Sequence, residues 1–323
     1  MQSHNKKVLL IGAGQMSKDY LRVMNSLDIS IDIVCRRKES AESFEEETDH
    51  KVFSGGLKKY FQKNKEIPDY AIVAVNISNL MSISEILIRG GVKKILIEKP
   101  GAQTLKEINL LDRLATKNNV NAYIAYNRRF YSSVTKAKDI IVQDGGVSSF
   151  TFEFTEWSHV IKNLDKEKSE MQKWFINNSS HVVDLAFYLG GSPNFINTVS
   201  NGEGELSWHP AASSFSGSGK TINNAIFSYH ADWSAPGRWG VEILTKNHRL
   251  ILRPMEKLYV QEKGSVEIEL AEIDDELDIE FKPGLYRQVE AFLKNEIESF
   301  CTVNEQKRMM DIYYKISNYK SEI

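Results

Sequence analysis

The run Val8-Leu9-Leu10-Ile11 passes directly into Gly12-Ala13-Gly14 and then into a helix-patterned stretch, and this junction constrains the fold more than any other part of the chain. A short apolar run without polar alternation is the signature of a strand buried on both faces. From Gln15 to Leu27 the apolar residues Met16, Tyr20, Val23 and Leu27 recur at helical spacing on one face. A strand, a glycine turn and a helix in that order demand a parallel partner strand. Ile29–Val34, Tyr70–Val75, Lys94–Ile97 and Val120–Ala125 supply candidates, with helical patterns between most of them. Short apolar strands alternating with helices build βαβ units, a parallel sheet covered on both sides. This α/β pattern predicts a first domain over residues 1–125.

After Arg128 the pattern changes. Phe150, Phe152 and Phe154 alternate with polar residues, as in a strand with one wet face. Similar runs recur at Asn223–Trp233, Gly240–Thr245, Arg249–Leu252, Leu258–Gln261 and Val266–Leu270, with helical stretches at Ser132–Gln143, Ser179–Leu189, Leu285–Glu298 and Glu305–Tyr319. The second domain, residues 126–323, is therefore expected to be α+β, built on an open, mostly antiparallel sheet. Ser213–Lys220 (SSFSGSGK) reads as a mobile loop. The eight acids of Glu267–Glu280 read as a solvated strand face and turn.

Composition excludes several classes. Lys+Arg (41) and Asp+Glu (43) nearly cancel, so nothing pulls the chain as a whole toward nucleic acid or an anionic membrane. No apolar run reaches the length of a membrane span or a signal peptide. Two cysteines, Cys35 and Cys301, cannot make a disulfide framework or a multi-cysteine metal site, and no His/Cys/carboxylate cluster has metal-ligand spacing. A cytoplasmic two-domain protein without a metal is the expectation.

Gly12 and Gly14 stand where a strand meets a helix N-terminus. Gly12 permits the tight turn, Gly14 lets backbone N–H groups approach a pyrophosphate, and the helix end adds unpaired donors, with Gln15 and Met16 in its first turn. Ser17 takes the place of the usual third glycine or alanine and is small enough for close packing. These features predict a dinucleotide. The second strand ends Cys35-Arg36-Arg37-Lys38 without a carboxylate at its tip, and Asp32 lies too early to reach a ribose. Arg36 and Arg37 suit a 2′-phosphate, so NADP(H) is favoured, with NAD(H) the alternative. Asn76 and Asn79 follow the Tyr70–Val75 strand at the end that meets the cofactor.

Lys94–Ile97 runs into Glu98-Lys99-Pro100-Gly101. Ligands of open α/β sheets bind beyond the carboxyl ends of the strands, so Lys99 points at the crevice, with Glu98 beside it. A desolvated lysine there can exchange a proton with a substrate hydroxyl or carbonyl; the plain alternative is a solvated strand-end charge.

GAGQMS, IEKPG, YIAYNRRF and SSHVVDLAFYLGG together resemble the Gfo/Idh/MocA family of NAD(P)-dependent sugar oxidoreductases, and APGRWGVEI, LRPMEKL and FKPGLYRQVEAF extend the resemblance over nearly the whole chain. It implies a Rossmann domain followed by an open-sheet domain. It also implies that Lys99 is the catalytic, substrate-binding lysine and that His181 lines the same site. Where the family often has an Asp four residues before that histidine, this chain has Asn177, which cannot act as a carboxylate base. Asn177 and Asn178 could instead bond sugar hydroxyls. Asn127 and Arg128 fall at the domain junction, where a substrate carboxylate or phosphate could be held, with a structural ion pair the alternative for Arg129. Arg238, in a loop between strands, is a candidate anion contact.

The later segments look most like members associated with bacterial surface-polysaccharide sugars. The implied substrate is thus a sugar or a nucleotide-activated, acidic or amino sugar. A homodimer or homotetramer through the open sheet face is also implied. A non-catalytic dinucleotide-binding regulator of the same architecture is the alternative from another class, and a dehydrogenase of a cyclic polyol or small acid is a third.

Overall fold

The computed structural model describes residues 6–320. The chain divides into two compact units, Met1–Asn127 with Leu277–Arg308, and Arg128–Glu276 with Met309–Ile323. The first thus extends the expected 1–125 segment with a late return of the chain.

In the first unit β1 (Lys7–Ile11), β2 (Ser30–Val34), β3 (Val52–Phe53), β4 (Tyr70–Val73), β5 (Lys94–Glu98) and β6 (Asn121–Ala125) form a parallel sheet in the order β3-β2-β1-β4-β5-β6. The helices α1 (Gln15–Ser26), α2 (Lys38–Thr48), α3 (Leu57–Lys63), α4 (Leu80–Gly90) and α5 (Leu105–Lys117) connect successive strands. Val8, Leu9 and Leu10 of β1, Ala71, Ile72 and Val73 of β4, and Ile95, Leu96 and Ile97 of β5 have no solvent exposure. Each large aliphatic side chain removed from water in this way contributes roughly 1.5–3 kcal/mol, which is why the central strands carry almost no polar residue. A capping box starts α5: Thr104 Oγ1 accepts from Glu107 N at 3.1 Å while Glu107 Oε2 accepts from Thr104 N at 3.3 Å.

The return segment completes this unit. Cys301–Thr302 pairs antiparallel with β6, and Phe292, on the helix Leu285–Lys294, packs edge-on against Tyr70 and Tyr123. Sequence periodicity marked that helix but carries no information about which unit it joins. The helix Val303–Ser317 has residues in both units.

The second unit holds β7 (Ser149–Glu153), β8 (Pro193–Asn201), β9 (Ser214–Thr221), β10 (Ile226–Asp232), β11 (Gly240–Leu244), β12 (His248–Leu252), β13 (Tyr259–Glu262) and β14 (Glu269–Leu270) in the order β14-β13-β12-β11-β7-β10-β9-β8. All neighbours are antiparallel except β7 and β10. Helices of this unit are α6 (Ser132–Gln143), α7 (Ser158–Ile161), α8 (Lys168–Gln172) and α9 (Ser180–Gly190). One sheet face is a row of rings: Phe150 stacks on Phe227 at 5.3 Å, Phe152 on Tyr229 at 5.3 Å, and Phe187 of α9 closes edge-on over Phe227 at 5.0 Å. The opposite face shows Ser216, Ser218, Ser228 and His230 to solvent, with Ile226 and Val199 as exposed apolar residues.

Ser213–Lys220 is not a mobile loop. Ser214–Thr221 is β9, paired with β8 on one side and β10 on the other. Its glycines are dictated by its neighbours: a Cβ on Gly219 would lie 2.5 Å from the Phe227 ring and 2.0 Å from the Phe195 carbonyl, and one on Gly217 would lie 2.4 Å from the Tyr229 hydroxyl. The small residues therefore mark close packing against an aromatic row, where composition alone reads as a flexible linker. The expected strand Val266–Leu270 shrinks to Glu269–Leu270, and β8 had no recognisable pattern because much of it is exposed. Among the described residues no helix is long and apolar enough to cross a membrane, and no group of side chains could hold a metal ion.

Candidate active site

In the first unit the strand order reverses at β1, so the turns after β1 and β4 diverge and leave a crevice at their carboxyl ends. A cleft of about 500 Å³ opens there, lined by Gly12, Gly14, Ala74 and Asn76. Gly12 donates its N–H to Val34 O at 2.9 Å, and Ala74 donates to Ile11 O at 2.8 Å, so the two turns stay in register. Gly12 has φ +126°, and a Cβ there would lie 2.0 Å from Ala74 O. Gly14 is different. It has nothing within 4 Å of the position a Cβ would take, and α1 starts beyond it with no side-chain cap. Open space over a glycine and uncapped N–H donors at a helix start together fit a pyrophosphate.

At the other end of the cleft stand Arg36, Arg37, Ser40 and Lys58, with Gly55 and Gly56 folded against the β2 tip through Gly56 N–H to Cys35 O at 2.9 Å. Ser40 and Lys58 were not singled out from the sequence; they come from helices whose starts no motif marks. Asp32 is outside the cleft lining, ion-paired to Lys7 at 2.6 Å and accepting a hydrogen bond from the Tyr60 hydroxyl. Asn79 lines the cleft, whereas Gln15, Met16 and Glu98 do not. Gln15 bonds Asp19 at 3.2 Å, Met16 Sδ accepts from Lys282 Nζ at 3.0 Å, and Glu98 accepts from the buried Tyr20 hydroxyl at 2.7 Å. Burial pushes the Glu98 carboxyl up, against the opposing pull of the Tyr20 bond and the Lys99 charge.

Lys99 is partly buried in the turn that leaves β5, closed by Gly101 N–H to Glu98 O at 3.0 Å. Beneath that turn the fully buried Gln306 donates to Pro100 O at 2.9 Å and lies 3.1 Å from the Tyr126 hydroxyl. Gln306 thus positions the segment that carries Lys99 from 206 residues away, which no local pattern could announce.

In the second unit a π-helical turn, Phe175–Ser179, leads into α9. Such turns insert an extra residue and re-aim the side chains that follow, and they are frequent at functional sites. His181 is buried with its ring 6.4 Å from Trp239. Asn177 donates to Glu170 O at 2.9 Å, and Asn178 and Ser179 donate to Glu156 Oε1 at 3.0 and 2.6 Å. Glu156 is a buried carboxyl that sequence reading missed; burial pushes its pKa up, partly offset by those two bonds. Arg128 and Arg238 lie over the Trp239 ring at 5.0 and 5.2 Å, and Arg238 also covers Trp157 at 4.6 Å. Trp233 and Trp174 belong to the core; Trp233 bonds Phe154 O at 3.0 Å. Asn127, the last residue of the first unit's leading segment, spends its amide on Pro283 O at 2.9 Å.

Arg129 takes the structural alternative. It grips Asp184 with two bonds, 2.8 and 2.6 Å, with 3% and 1% side-chain exposure, and covers Tyr188 at 4.7 Å. Removing one member strands the other charge in the interior, so Asp184→Ala is expected to lose about 3–5 kcal/mol of stability, read as a lowered denaturation midpoint with an unchanged denaturant slope.

The sheet order, glycine turn and cleft define a dinucleotide-binding Rossmann unit. Residues 6–126 match the model of the Gfo/Idh/MocA oxidoreductase family, an NAD-binding Rossmann fold. No curated protein matches the sequence at a significant level. Solved structures share the fold over nearly their full length. A levoglucosan dehydrogenase in complex with NADH and levoglucosan superposes with a TM-score of 0.77 at 19% identity, covering 98% of this chain and 97% of its own. A UDP-N-acetylglucosamine 3-dehydrogenase from Acidithiobacillus ferrooxidans gives 0.74 at 14% identity, covering 96% of each chain. An oxidoreductase from Agrobacterium radiobacter, in complex with NAD+, L-tartaric acid and magnesium, gives 0.74 at 12%, covering 96% of this chain and 94% of its own.

Proposed function

We propose that the chain transfers a hydride between a nicotinamide dinucleotide and a carbon of a sugar or nucleotide-activated sugar. The observation that carries this reading is the pairing, in one unit, of the glycine cleft with the clamped turn that bears Lys99. Two of the structural relatives are named as dehydrogenases of carbohydrate substrates, which supports the substrate class. When bound, the nicotinamide accepts or donates the hydride. The chain's own task is to bind, orient and exclude water. Lys99 gives a proton to, or takes one from, the reacting oxygen, and His181 assists by orienting that oxygen or sharing the proton. A cytoplasmic homodimer or homotetramer completes the proposal.

NADP(H) is the preferred cofactor in this reading. Arg36 and Arg37 are exposed at the cleft rim, and among the described residues neither guanidinium forms an ion pair. Both remain available to a 2′-phosphate, and among the described residues no carboxylate lines that end of the cleft, Asp32 being outside it and paired with Lys7. NADPH is expected to bind about tenfold more tightly than NADH, a difference of about 1.4 kcal/mol, and Arg36→Ala with Arg37→Ala should erase it. Titration of cofactor fluorescence measures both. Equal affinities in the unaltered protein would remove the assignment.

A further inference from the structure

Around Trp239 the second unit stacks charge against ring in alternation: Arg128 on Trp239 at 5.0 Å, Arg238 on Trp239 at 5.2 Å, and Arg238 on Trp157 at 4.6 Å. We propose that this ladder is the seat of an anionic group on the substrate, a carboxylate or a phosphate ester, so that the substrate is an acidic or phosphorylated sugar and not a neutral one.

Among the described residues neither guanidinium has an ion-pair partner, and Arg128 Nε is buried without a hydrogen-bond partner. Two like charges against one indole repel each other, an arrangement that an oxyanion between or beside them relieves. Stacking leaves the planar N–H edge of each guanidinium free to bind an oxyanion in bidentate fashion, which an ammonium could not reproduce. The ladder is also held before any ligand arrives. Trp157 Nε1 donates to Gly237 O at 3.0 Å, and the Arg238 backbone N–H donates to Glu153 at 3.2 Å, so the loop that carries Arg238 is pinned from both sides. Trp239 is buried, while Trp157 remains 46% exposed and opens the ladder to solvent.

The charge of Glu156 acts on both arginines and that of the exposed Glu256 on Arg128, while Glu153 takes the backbone N–H of Arg238. Glu156 is turned to Ser179 and Asn178, and burial disfavours its charged form, so it neutralises the pair weakly. His181 contacts the same indole, which puts the anion seat next to the histidine of the proposed reaction.

The inference rests on the oxidoreductase reading, and its test separates the two. The full chain, saturated with NADPH, is titrated by calorimetry with D-glucuronate, D-glucose 6-phosphate and D-glucose at one ionic strength. At least one anionic probe should bind about tenfold or more tightly than glucose, and whichever binds more tightly identifies carboxylate or phosphate as the group held. Arg238→Gln, at an exposed position, and Arg128→Gln should each weaken the anionic probe about tenfold or more and leave glucose and NADPH affinity unchanged. Equal affinity for charged and neutral sugars, no binding of either anion by a chain that binds NADPH, or variants that retain anion affinity would overturn the anion seat. Failure to bind any dinucleotide would instead overturn the oxidoreductase reading beneath it.

Discussion

Lys99→Ala is expected to leave dinucleotide affinity nearly unchanged and to reduce turnover about 100-fold or more, the usual scale for loss of a positioned acid–base group. The two effects separate because the pyrophosphate end of the cleft is built from backbone around Gly12 and Gly14, whereas Lys99 sits in the turn beyond β5. His181→Ala tells what the lysine does. If the two residues share one proton, each single variant and the double variant should be about equally slow; if they make independent contacts, the losses multiply. Steady-state kinetics on the three variants, with cofactor affinity measured alongside, gives the answer. Near-normal turnover of Lys99→Ala would make that lysine a strand-end charge and end the proposed chemistry.

The two glycines of the first turn should respond to substitution in opposite ways. Gly12→Ala puts a methyl 2.0 Å from the Ala74 carbonyl oxygen, at a φ of +126° that an L-residue resists, so the β1 and β4 turns must part. Strain and overpacking together amount to roughly 2–5 kcal/mol, and the cleft should lose its dinucleotide along with its shape. Gly14→Ala meets nothing within 4 Å and should fold with near-normal stability. Its methyl, however, occupies the space over the helix start, so cofactor affinity should fall about tenfold or more without a change in melting temperature. Thermal unfolding and cofactor titration on both variants separate the cases. A Gly14→Ala protein that binds dinucleotide normally would move the pyrophosphate away from this turn.

The parallel sheet was legible because a strand covered on both faces has nearly unbroken apolar sequence. Val8–Ile11 and Lys94–Ile97 are such runs, and the glycines between β1 and α1 mark the turn at which the chain reverses. The strand β9 was not legible, since Ser and Gly facing a row of phenyl rings have the composition of a linker. The same holds for interactions closed by distant side chains. Glu156 follows an ordinary alternating strand, and its burial beside Asn178 and Ser179 comes from the π-helical turn, which has no periodic signal. Arg129 could be read two ways until Asp184 was seen to take both ends of its guanidinium. Gln15, Met16 and Glu98 were assigned to the cofactor by proximity in sequence to the glycine turn and to Lys99, but each side chain is engaged elsewhere.

The late return of the chain bears on how the protein is made. A ribosome delivers β1 to β6 first, then everything from Arg128 to Glu276, and only afterwards the residues that complete the first sheet. Throughout that interval the outer edge of β6 lacks its Cys301–Thr302 partner, Tyr70 and Tyr123 lack the Phe292 ring, and the Pro100 carbonyl lacks Gln306. An uncovered edge strand with bare aromatic side chains beside it is a template for wrong pairing. Until Cys301–Thr302, Phe292 and Gln306 have been made, the nascent chain therefore carries the turn of Lys99 unclamped and the β6 edge with its neighbouring rings uncovered, and that interval is where a holding chaperone would have its work.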